Sequence, residues 1–141
     1  MNYTILEPYK DILIRHKKQS LKNVVNYYDN SFLPELSETT GRNQASHRAS
    51  AQNDLNSFYD NARNKTPLKY LGFSKYEILY FLRHEAIEHR KRASDFPSNP
   101  YIIMRNLRKA VTIANILIHL EPKFKIYSLH WICSCNQITL N

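Results

Sequence analysis

The chain has 141 residues, 43% of them hydrophobic and 23% charged, a balance that fits one globular domain with a real core and excludes a disordered composition. Two glycines, Gly41 and Gly72, against an average usage of ~7%, exclude Gly-rich phosphate loops and argue against an all-β sandwich built on tight hairpins. The formal net charge is +8, and all of the excess lies in residues 61–141, because residues 1–60 hold seven basic and seven acidic side chains.

In chain order, residues 1–6 read as a short strand or a frayed end. Residues 8–30 predict a helix: Tyr9, Ile12, Leu13, Leu21, Val24, Val25 and Tyr28 fall at helical spacing, and Pro8 suits a first turn, where its missing N–H would be unpaired anyway. Arg15, Lys17, Lys18 and Lys22 lie mostly off that stripe. Residues 31–44, with Pro34, Gly41 and many Ser, Thr and Asn, read as a loop. A second helix with a thin apolar stripe (Ala45, Ala49, Gln52, Leu55, Phe58, Tyr59, Ala62) follows over residues 43–64.

Residues 65–73 are rich in turn formers. Ser74 and Glu77 then form a Ser-x-x-Glu capping box, each side chain reaching the other's backbone N–H. It opens a helix to about residue 93, with Ile78, Leu79, Leu82 and Ala86 as its core face. Asn99 as N-cap and Pro100 at the first helical position open another, running to about residue 120. Its core side is Ile103, Leu107, Ala110, Ala114 and Leu117. Residues 124–140, rich in Ile, Tyr, Trp, Cys and Thr, read as strand pairing with residues 2–6, with a final helix as the alternative. The fold expected is therefore mainly α: a compact bundle of about four helices in one domain over residues 1–141, with a small terminal strand pair as an addition.

No apolar run approaches the ~18 residues a membrane span needs. Cys133 and Cys135 are too close for a disulfide between them and too few to complete a structural zinc site. They read as reduced cysteines of an intracellular, cytoplasmic protein. No cofactor motif is present. The charge excess points to nucleic acid or an acidic protein surface as partner; a solvated basic face is the plain alternative.

Four constellations bear on function. Gly72, Ser74 and Ile78, with Leu68 and Leu71 before them, resemble a helix-turn-helix step whose second helix would offer Lys75, Tyr76, Tyr80 and Arg83 to a DNA major groove. Arg90, Lys91, Arg92, Arg105, Arg108 and Lys109 flank the Asp95–Pro100 linker. If the two helices are antiparallel neighbours, these cations gather at one end, where they would neutralise phosphates, with Tyr76, Tyr80 and Tyr101 as stacking surfaces. His84-Glu-Ala-Ile-Glu-His89 looks like a zinc-hydrolase motif, but its histidines stand five apart, roughly 140° around a helix of 3.6 residues per turn, so no metal site is expected. Finally, Arg83, five residues, then His89 resembles the Arg-x4-6-His signature of HEPN ribonucleases, which are small helical proteins. The resemblance implies Arg83 and His89 as catalytic residues, and it departs from the family where His84 follows the arginine.

The expectation is a small non-catalytic nucleic-acid-binding regulatory protein working through the basic C-terminal helices. A non-enzymatic factor or inhibitor that docks on an acidic protein is the alternative, and a HEPN-like ribonuclease the third reading.

Overall fold

The computed structural model of the chain describes residues 3–30, 38–63 and 65–124, and these residues form helices and turns with no strand among them. A single helical turn, α1 (Tyr3–Leu6), leads through a 3-10 turn over Glu7–Tyr9, with Pro8 in its first positions, into α2 (Lys10–Asn30). Then come α3 (Glu38–Arg63), a 3-10 turn over Leu68–Tyr70, α4 (Lys75–Asp95), α5 (Pro100–Leu120) and a last 3-10 turn over Pro122–Phe124. The mainly α architecture thus stands on four helices of 21 to 26 residues among the described residues. None of them is long and apolar enough to cross a membrane.

Two expectations are corrected. Residues 3–6 are helical rather than strand: the β-leaning composition Tyr-Thr-Ile-Leu is a weak preference, and here the turn places Leu6 at 0% exposure. Helix α3 begins at Glu38, so the polar stretch expected as loop is partly helix, because polarity by itself does not oppose helical backbone. Of the strand or helix expected over residues 124–140, Phe124 falls in the last 3-10 turn and residues 125–140 lie outside the described residues.

Contacts divide the chain into two compact units, residues 1–12 with 73–141 and residues 13–72. The first is built on α4 and α5. Its start is set by the capping box the sequence announces: Ser74 Oγ accepts from the Glu77 N–H at 3.0 Å, and the Ser74 N–H donates to Glu77 Oε1 at 3.1 Å. Such a cap contributes about 1 kcal/mol. Gly72, at φ +77° in the preceding turn, occupies left-handed backbone that a Cβ would strain. At the other end Asn99 Oδ1 accepts from the Ile102 N–H at 3.2 Å and opens α5.

The two helices run antiparallel. His89, late in α4, meets Asn106, early in α5, at 3.0 Å; Lys75, at the start of α4, meets Glu121, just past α5, at 2.9 Å. Ile78, Leu82, Ala86, Ala110, Ile113, Ala114 and Leu117 are buried between 0% and 1% exposure. Each fully buried Leu or Ile contributes about 1.5–3 kcal/mol.

The second unit pairs α2 with α3. Val25, Ala51 and Leu55 form its core cluster, with Leu21, Tyr28 and Tyr59 packed against them. This pair is antiparallel too: Tyr28 stacks on His47 at 6.0 Å between ring centroids, and Lys17, eleven residues earlier, lies over Phe58. The apolar stripe of α3 packs only in its C-terminal half, since Ala45 and Ala49 are exposed.

Candidate functional site

Helix α5 has two unlike faces. Ala110, Ile113, Ala114 and Leu117 are buried, and the helical repeat puts Tyr101, Arg105, Arg108 and Thr112, spaced four, three and four residues apart, on the opposite side. All four are exposed, as is Lys109 beside them. No acidic residue occurs anywhere in Pro100–Leu120, and among the described residues no carboxylate pairs with Arg105, Arg108 or Lys109. The first turns of this face form a shallow groove of about 570 Å³ lined by Pro100, Tyr101, Met104, Arg105 and Arg108. Tyr101 is 71% exposed and Met104 49%. Three cations, an aromatic ring and a thioether therefore share one surface, with nothing of opposite charge on their own helix.

The outer face of α4 is different. Tyr76 and Tyr80 stack on each other at 6.0 Å with planes 16° apart, and Tyr80 meets His84 edge-on at 4.4 Å. Arg83 and Lys91 are exposed on this side of the helix and Glu77 is half-buried. Near the helix end Arg92 reaches Glu88 at 4.0 Å, an exposed i,i+4 pair that contributes little. This face is aromatic and mixed in charge.

Of the six cations expected to gather around the linker, five are exposed: Lys91, Arg92, Arg105, Arg108 and Lys109. Lys91 and Arg92 lie near the linker end of α4 and Arg105 in the second turn of α5, while Arg108 and Lys109 fall at the middle of α5. Arg90 departs from the expectation. It is 5% exposed, and burial pulls its guanidinium below the ordinary arginine range, so it is a core residue that a surface ligand does not reach. Lys75 is tied to Glu121 by a 2.9 Å ion pair, at the far end of the hairpin from that cluster.

The helix-turn-helix resemblance does not survive. Such a motif joins its helices by a turn of about three to four residues, whereas α4 is preceded by a lone 3-10 turn at Leu68–Tyr70, and α3 ends as far back as Arg63. Leu79, which would face the groove, is 8% exposed.

His89 is likewise a packing residue. Asn106 Nδ2 donates to the Ile102 carbonyl at 2.9 Å, which turns Asn106 Oδ1 toward His89 Nδ1 at 3.0 Å. The imidazole therefore donates from Nδ1, while its Nε2 lies 3.3 Å from Glu85 Oε1. Both His89 and Glu85 are buried, and together with Asn106 they make a polar tie across the hairpin. Arg83 is exposed, roughly 120° away around the helix by its 3.6-residue period. The structure does not bring Arg83 and His89 to one solvent-facing cleft, so the HEPN resemblance gains no support from it. His84 points to the Tyr80 side and His89 inward, which also separates the two ligands a zinc-hydrolase motif would need.

The N-terminal lysines are engaged within their own unit. Lys18 Nζ lies 4.6 Å and Lys22 Nζ 5.8 Å from the Tyr59 ring centroid, and Lys17 Nζ lies 6.0 Å from that of Phe58. These are cation–π contacts that hold α2 to α3. Sequence reading missed Met104 altogether. Its signal was its place three residues after Tyr101, on the side of α5 away from Ala110 and Ala114.

No protein-family model matches this chain, and neither a curated protein nor a solved structure matches it.

Proposed function

We propose that this protein is a non-catalytic nucleic-acid-binding protein that holds the phosphate backbone on the outer face of α5. The observation that carries the reading is the set Arg105, Arg108 and Lys109, exposed on a helix without a single acidic residue. Guanidinium groups match phosphate geometry by bidentate hydrogen bonding, and cations held by no carboxylate lose no ion pair when a phosphate arrives.

Neutralising phosphates releases condensed counterions, so affinity falls steeply with salt. For three contacts on a single strand the logarithmic slope is roughly −2. The test is fluorescence anisotropy with a labelled oligonucleotide of random sequence, titrated between about 50 mM and about 200 mM salt. Reversing Arg105 and Arg108 together to Glu is expected to weaken binding by more than about tenfold and to flatten the salt slope. Binding that is insensitive to both salt and this reversal refutes the proposal. If polyglutamate binds more tightly than the oligonucleotide at equal charge, the surface is one for an acidic protein.

A further inference from the structure

We infer that the α5 groove takes unpaired nucleotides, with a base laid on the Tyr101–Met104 shelf while Arg105 and Arg108 hold the adjoining phosphates; this rests on the phosphate-binding reading of the same face. A surface that only gripped a duplex from outside would gain nothing from an exposed aromatic ring and thioether, because the bases of a duplex are stacked out of reach and the phosphates ask only for charge and donors. Here the apolar groups stand next to the guanidiniums and line the same groove. Tyr101 precedes Arg105 by one helical turn, roughly 6 Å along the axis, about the span from a nucleotide's phosphate to its base. Arg108 continues the line another turn on.

The state of the tyrosines selects α5 over α4. Tyr76 and Tyr80 already stack on each other at 6.0 Å and Tyr80 also meets His84. Although Tyr76 is as exposed as Tyr101, at 73%, these rings are engaged with each other, and among the described residues no unengaged cation pair adjoins them on α4 as Arg105 and Arg108 adjoin Tyr101. Among the described residues no ring and no cation covers Tyr101, and it is 71% exposed. Met104 adds a polarisable, adaptable floor. Stacking of this kind tolerates any base, since each has a π-face. The ligand expected is therefore single-stranded RNA or DNA without strong sequence preference.

The experiment compares a labelled oligouridylate with an RNA duplex of equal length by anisotropy, using the full chain as wild type, Tyr101→Ala, Tyr101→Phe and the Arg105→Glu/Arg108→Glu double variant. Wild type is expected to bind the single strand about tenfold more tightly than the duplex, and Tyr101→Ala to lose about that factor on the single strand alone. Tyr101→Phe keeps the ring and should keep the preference. Because Tyr101 is exposed, circular dichroism of these variants should match wild type. Equal affinity for the two RNAs, or a preference that survives Tyr101→Ala, overturns the inference while the double variant's loss of all binding still upholds the phosphate reading. If the double variant binds both RNAs as wild type does, that reading falls and the inference with it.

Discussion

The two antiparallel helix pairs put their cations to different uses. In the α2–α3 pair Lys17, Lys18 and Lys22 lie across the rings of Phe58 and Tyr59, and Arg48 is bonded to Asp29 through both of its carboxylate oxygens. That hydrogen bond and the aspartate charge raise the Arg48 guanidinium above its ordinary range. On α5 the cations Arg105, Arg108 and Lys109 have neither a ring nor a carboxylate among the described residues. A linear count of basic residues cannot separate these cases. What decides between them is what the neighbouring helix offers: α3 presents aromatic rings to α2, whereas among the described residues no ring or carboxylate meets the cations of α5.

The pairs differ in their cores as well, and this gives the largest expected effect. Leu82, Ile113 and Leu117 are buried to 0–1% exposure, whereas the cluster Val25, Ala51 and Leu55 retains 6–8%, although Leu13 at the start of α2 is at 0%. Leu82→Ala removes a side chain that leaves a cavity on all sides and is expected to cost about 3–5 kcal/mol; Leu55→Ala, at a less enclosed site with more room to collapse, about 2–3 kcal/mol. Urea denaturation followed by circular dichroism gives both values. The reverse order would show that the α2–α3 core is the tighter of the two.

The cation contrast is broken or sharpened by Lys18→Met with Lys22→Met. Methionine keeps the apolar stem along the helix and removes the charge, so the loss is that of two exposed cation–π contacts, together about 1 kcal/mol of stability. Oligonucleotide affinity should fall far less than it does on reversing Arg105 and Arg108. Were the lysine variant to lose as much binding as the arginine variant, the α2 lysines would belong to the ligand surface and the distinction between the two pairs would fail.

How much of this was legible in the sequence depends on whether the signal is local. Ser74 and Glu77, Asn99 and Pro100 announce helix starts through bonds within one turn, and the structure makes those bonds. The stripe Ala110, Ala114 and Leu117 identifies the buried face of α5 from its period alone. A binary pattern sorts charged and titratable side chains outward, which puts Arg90 among the phosphate-binding cations and gives no sign that His89 is buried. Their burial depends on Asn106 and Glu85 and on the wide covered arc of α4, from Phe81 through Ile78 to Arg90. The thin stripe of α3 hid the use of Phe58 and Tyr59 as lysine acceptors, since that pairing joins residues about forty apart in a sequence with no local mark of it. The cationic face of α5 was visible as a list of residues, and its lack of carboxylates could be counted. That Tyr76 and Tyr80 stack on each other while no ring among the described residues meets Tyr101 could not.

The smallest expected effect tests the open end of the α4–α5 hairpin. The hydrogen bond from Lys75 Nζ is the largest influence on the Glu121 carboxyl and holds it below its ordinary range against the cost of burial, which comes next; the charge of Lys75, then a backbone bond from Lys123 and the Lys123 charge, lower it further. A carboxyl whose folded value is depressed adds stability that is fully present above its unfolded value and is lost as pH falls through the folded one. The contribution should therefore be constant at neutral pH and fade from roughly pH 4.3 downward. Both partners are partly exposed, so solvent screens the pair and its share of stability is slight. A carboxyl-detected NMR titration should place Glu121 below the usual glutamate value in wild type and return it most of the way in Lys75→Met, with Lys123 accounting for the remainder. A Glu121 that titrates identically in both proteins would mean that Lys75 does not hold this end of the hairpin. Lys75 would then be a loose cation like those of α5, and the count of charges open to a ligand on this hairpin would rise by one.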